Sequence, residues 1–267
     1  MEKIEKYNYP NIFSSMDYFE HIVKLNAKIQ KDKAILKQNN TPENNKIFIE
    51  NLIIYHSLIV DEVLINSHIA KDSLKEQKDG WFIWMKIEGF STTYDYKTTD
   101  ELYTYWFDKY FDRYFPNKQD EPYFNEVVQN YKNGCYYSCA CCLFPLMERI
   151  QRRISKFNGN TIFSVKNELS KSHLPDPQKC NDYLSKFEKS LNTFLDKNTY
   201  KKSVESDVEP KEICRNRVMH GIFTREISKT DCLKLFCIYE SLYKFNYWLN
   251  SVNSIKVLIE QLHNVEN

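Results

Sequence analysis

Only five glycines are spread over 267 residues, and that scarcity constrains the fold more than any other feature of the chain. A turn-rich β fold draws heavily on glycine, which supplies positive φ at tight turns. Leu, Ile, Lys and Glu instead recur at helical spacing. The expectation is an all-α protein.

Residues 14–38 read as an amphipathic helix with Phe19, Ile22, Leu25 and Ile29 on one stripe. A second helix opens with Thr41 as N-cap and Pro42 at its first position. Residues 80–115 hold 14 aromatic side chains, in which "WFIWMKI" and "STTYDYK" read as a short hairpin. So many rings fit a packed core or a subunit contact better than base stacking. "PNKQDEP" (116–122) reads as a linker, which divides the chain into a mainly helical N-terminal region, 1–115, and a helical domain, 116–267.

In that domain, helices are expected over 122–133 and 135–157. The second has a stripe of Leu143, Leu146, Ile150, Ile154 and Phe157, and Pro145 is expected to kink it. A loop at 172–178 precedes a helix marked by Leu184, Phe187, Leu191 and Leu195. Pro210 is expected to open the next helix, and Ser228 with Asp231 to cap the last, whose stripe includes Leu235, Tyr239 and Leu242. The pattern is that of an up-and-down helical bundle.

No apolar run reaches the ~20 residues of a membrane span, and the N-terminus lacks the pattern of a secretory signal. A cytoplasmic protein without a membrane partner is expected, with its eight cysteines reduced. Lys and Arg number 15 against 18 acidic residues up to position 115, and 22 against 18 after it. The second part is therefore the better place for an anionic partner.

Three segments of this part carry chemistry. "CYYSCACC" spaces Cys139 and Cys142 as C-x-x-C with Cys135 a turn earlier, but no second pair completes a zinc site, and no metal or cofactor is expected. Arg149, Arg152, Arg153 and Lys156 share one helical face suited to phosphate contacts, although Glu148 stands four residues before Arg152 as a partner within the helix. "EICRNRVMHGIF" is the richest. Asn216 and His220 are four apart and share a helical face, and Arg215 stands near the N-terminal end, where phosphate is welcome. A guanidinium for phosphate, an imidazole that exchanges protons near neutral pH and an orienting amide form a minimal phosphodiester-cleaving set. Gly221 is read as leaving room for a close approach.

"RNRVMH", Arg215 to His220, resembles the Arg-x4–6-His signature of HEPN domains, and "LFPLMERI" is similar to a Pro-x-x-x-Glu-like stretch found on an earlier helix there. The resemblance covers roughly residues 120–255 and implies a HEPN-like helical bundle. It also implies a metal-independent endoribonuclease, acting as a toxin or an antiviral (abortive infection) effector and pairing as a homodimer through the motif helix. On that reading His220 is the general acid or base, Arg215 binds the scissile phosphate and Asn216 orients either of them. The ribose 2′-hydroxyl is the nucleophile, and RNA is the partner. Arg217, Glu148, Arg149, Arg152, Arg153 and Lys156 are candidates for holding substrate. An antitoxin or other defence partner fits such a role. The tyrosine that in one subgroup follows the histidine by two positions is replaced by Ile222, so control by adenylylation of that tyrosine is not implied. The alternatives are a non-catalytic HEPN-like module for RNA, nucleotide or assembly, and a helical interaction protein whose motif is a coincidence.

Overall fold

The computed structural model describes residues 15–66, 120–154, 177–195, 199 and 212–266. Among the described residues every regular element is a helix: α1 (Ser15–Gln38), α2 (Pro42–Asn66), α3 (Glu121–Lys132), α4 (Tyr136–Ile154), α5 (Pro177–Phe194), α6 (Arg215–Met219) and α7 (Lys229–Glu266). The fold is all-α, as expected. None of these helices is long and apolar enough to cross a membrane. The aromatic-rich segment and hairpin of 80–115, the linker residues 116–119, Lys156, Phe157, the loop residues 172–176 and Pro210 lie outside the described residues. Pro177 and Gln178, read as loop, begin α5.

The described residues belong to two compact units, one drawn from 1–68, 167–184 and 247–267, the other from 69–166 and 185–246. In the first, a short turn folds α2 back on α1. The Thr41 hydroxyl accepts from the Asn44 N–H at 3.2 Å, so the cap read from the sequence is formed. Asn51, buried on α2, ties the pair together. Its carbonyl oxygen accepts from the Lys28 ammonium at 3.1 Å, and its amide donates to Asp32 at 2.8 Å. Tyr55 and His56 of α2 meet Tyr247 (2.9 Å) and Ser251 (3.2 Å) of α7. Tyr183 sets its ring edge-on to the buried Trp248, with centroids 4.7 Å apart.

The second unit is built on α4. Cys139, Leu143, Phe144, Leu146, Met147, Ile150 and Ile154 are buried on one side, as a 3.6-residue period of apolar side chains requires. The helix continues through Pro145, which lies on the exposed side, where water can satisfy the carbonyl that proline leaves without a donor. Phe124 of α3 stacks on Tyr239 of α7 at 4.9 Å, and Tyr131 meets Phe236 edge-on at 5.4 Å. Phe187 and Phe245 lie parallel at 4.0 Å; such pairs add about 0.5–1.5 kcal/mol beyond the area they bury. Cys139 and Cys232 are both fully buried and hydrogen-bonded to each other. The Cys232 thiol donates to the Tyr136 carbonyl at 3.4 Å. That thiol pairing and burial hold Cys232 protonated.

The start of α7 carries the capping box read from the sequence. The Ser228 N–H donates to the Asp231 carboxylate at 2.8 Å, and the Asp231 N–H to the Ser228 hydroxyl at 3.2 Å. Arg225 grips the same carboxylate with two nitrogens, at 2.7 and 2.8 Å. Burial works against the Asp231 charge, but Arg225 and Ser228 outweigh it and keep the carboxyl below the usual range.

Burial lowers His56 from 6.5 to about 4. Between those values the unfolded chain takes up a proton that the folded one refuses, so stability falls as pH drops from 6.5 towards 4. Thermal melts at pH 7, 5.5 and 4.5 should show a steeper decline for the native chain than for a His56→Gln variant. Parallel declines would remove His56 from the acid response.

Candidate active site

The motif stretch forms α6, a helix of five residues, where a full-length helix was expected. Its C-terminal end explains the difference. The Gly221 N–H donates to the Val218 carbonyl at 3.2 Å and the Ile222 N–H to the Arg217 carbonyl at 3.0 Å, with Gly221 at φ 70°. This paired closure stops a helix and requires a left-handed residue after its cap. Gly134 (φ 75°) ends α3 with the same two bonds, Gly134 to Tyr131 and Cys135 to Asn130. Gly221 was read as making room for a close approach. A β-carbon placed there would meet nothing within 4 Å, so backbone conformation, not crowding, calls for glycine.

The closure sets the two candidate side chains at opposite ends of α6, with Arg215 as its first residue and His220 as its C-cap. The His220 N–H donates to the Asn216 carbonyl at 3.1 Å, one helical turn back, and the imidazole is exposed. Arg215 is half-buried. Its Nε donates to Glu148 Oε1 at 2.9 Å, and one terminal nitrogen makes a long 3.4 Å contact with Asn216 Oδ1. The side-chain contact of Asn216 within the motif is therefore to Arg215. Glu148 also meets Arg152 at 3.8 Å, the pairing within α4 that its spacing allows.

The other two arginines of the α4 face share a different carboxylate. Arg149 reaches Asp120 at 2.6 Å, and Arg153 holds both of its oxygens. Asp120 immediately precedes α3, where an aspartate ordinarily caps the helix, yet its side chain makes no cap. It sits in what was read as a linker, and nothing local marks it as a partner for residues 29 and 33 positions later. Glu148, Arg149, Arg152, Arg153 and Pro145 line an open depression of about 470 Å³, the size of a small-ligand cleft. Four guanidiniums thus share two carboxylates, and Glu148 links the motif arginine to the basic face.

Arg217, a substrate candidate in the sequence, is 1% exposed and donates to the Ile222 carbonyl at 3.1 Å, so it braces the closure of α6 from inside. Tyr137, unremarked in the sequence, donates its hydroxyl to the Val218 carbonyl at 3.2 Å. Among the described residues no group of three His, Cys, Asp or Glu side chains is placed to hold a metal ion. Cys139 of the C-x-x-C pair faces the core.

A Gly221→Ala substitution should cost about 1–2 kcal/mol by forcing a β-carbon into the left-handed region, despite the empty space around it. Gly221→Asn should cost less. Denaturant unfolding of the three proteins checks the order, and an alanine variant as stable as the native chain would contradict it.

Compared with known proteins, the chain matches no family model, no curated protein and no solved structure.

Proposed function

We propose that the second unit is a metal-independent endoribonuclease of HEPN type that works as a toxin or antiviral-defence effector. The observation that carries this reading is the hold of Glu148 on Arg215. A carboxylate at Nε fixes the plane of the guanidinium. Among the described residues its two terminal nitrogens keep donors to spare, in the planar pair that matches two phosphate oxygens. An exposed imidazole stands at the other end of the same short helix. The resemblance of "RNRVMH" to the HEPN signature supports the same chemistry.

In the proposed reaction the ribose 2′-oxygen attacks phosphorus and the 5′-oxygen leaves, giving a 2′,3′-cyclic phosphate and a 5′-hydroxyl. His220 takes the 2′-hydroxyl proton or supplies one to the leaving oxygen. Arg215 binds the phosphate and the negative charge growing on it, where a fixed cation has most effect. The α4 arginines would hold flanking phosphates, and two chains pairing through α6 would complete the site from both copies.

Purified protein incubated with RNA in EDTA should yield cyclic-phosphate and 5′-hydroxyl ends. His220→Ala should lose about 10²–10⁴-fold in rate while staying folded. Arg215→Lys should recover little, because an ammonium lacks the planar two-pronged grip. Products with 5′-phosphate ends, or a fully active His220→Ala protein, would refute the mechanism. RNA binding without cleavage would leave a binding module in its place.

Light scattering at micromolar concentration should report a dimer. A monomer with undiminished cleavage would dismiss the two-copy site.

A further inference from the structure

Tyr137, on the first turn of α4, combines two properties that rarely go together. Its side chain is half exposed (50%), yet its polar end is already used inside the protein. The hydroxyl donates to the Val218 carbonyl, which also receives the Gly221 N–H. The tip of the ring therefore rests on the turn that presents His220. An unanchored surface tyrosine would point its hydroxyl into water and swing freely. This one is held at its far end and leaves an aromatic surface anchored to the turn that ends α6, two residues before His220 in sequence, with little conformational entropy left to lose when something packs on it.

We propose that Tyr137 is the platform on which a nucleobase next to the scissile phosphate stacks, which makes single-stranded RNA the substrate class. The inference rests on the ribonuclease reading of Arg215 and His220 and extends it to how the substrate is held. The ring carries no charge, so it adds nothing to phosphate binding. What it offers is a π-face, to which any unpaired base presents its own. A base inside an RNA duplex is already stacked, and the duplex is recognised instead through its backbone and 2′-hydroxyls. The arrangement divides the work: Arg215 for the phosphate, His220 for the proton and Tyr137 for the base.

The test uses the full chain carrying His220→Ala, so that RNA is bound without being cut. Anisotropy with a labelled single-stranded oligonucleotide should show Tyr137→Leu weakening binding by about 5- to 150-fold, the value of one base stack. Tyr137→Phe, which keeps the ring but loses its anchor, should bind more weakly than the parent and more tightly than Tyr137→Leu. An oligonucleotide series with one abasic position at a time should reproduce the loss at one position in the parent and show none in Tyr137→Leu. Circular dichroism confirms that each variant is folded. Tyr137→Leu binding as tightly as the parent would overturn the platform, and the ribonuclease reading would survive if His220→Ala still abolishes cleavage. A shift from dimer to monomer in Tyr137→Leu, with RNA affinity per chain unchanged, would overturn it by making the ring a subunit contact. A native chain that neither binds nor cuts RNA would end both proposals.

Discussion

The second unit depends on the division of α4 into two faces. With 3.6 residues per turn, Cys139, Leu143, Phe144, Met147 and Ile150 must point one way, and they are buried together. The same geometry turns Glu148, Arg149, Arg152 and Arg153 the other way, onto one depression. Packing thus sets the direction of the charged face, and ion pairs with Asp120 and Arg215 hold its side chains. Had Pro145 fallen on the buried side, its unbonded carbonyl partner would have been sealed from water. On the exposed side it costs much less.

The motif helix has opposite surroundings at its two ends. Arg215 is half-buried and held by Glu148 from a neighbouring helix. His220 is exposed, and the closure at Gly221 turns the chain away immediately after it. Arg217 lies between them with its guanidinium indoors, spent on the backbone of that closure. Three basic or titratable residues within six positions therefore have three environments, set by where each falls on a single helical turn.

Much of this was legible in the sequence because it is periodic or local. Among the described residues the stripes of α4, α5 and α7 are buried as their spacing implies, except that Leu184 is half-buried; Leu143, Phe187, Leu191, Leu235 and Leu242 are fully enclosed. Thr41 and the Ser228–Asp231 pair cap the helices they precede. What escaped was set by contacts distant in sequence or by a conformation hidden in one residue. Asp120 looked like linker because its partners follow 29 and 33 positions later. The shortness of α6 follows from the positive φ of Gly221, which a pattern of apolar residues does not express. Arg217 and Arg215 are chemically identical, and only the orientation of α6 buries one and leaves the other within reach. Tyr137 was lost among the cysteines of its segment, since nothing in the sequence says that its hydroxyl meets Val218.

The shared carboxylates also govern how the depression responds to ionic strength. Arg149 and Arg153 have Asp120 as a built-in counterion, and Arg152 and Arg215 have Glu148. With half of its charge neutralised from within, the face offers a polyanion a net charge of two, so fewer of the polyanion's own condensed cations are released on binding. Affinity for single strands falls with a slope of about 0.7 per phosphate neutralised. Four arginines with a net charge of two would then show a salt dependence closer to that of two free cations. A face of this kind would lose a bound polyanion less steeply with added salt, and in dilute buffer it attracts polyanions less than its arginine content implies.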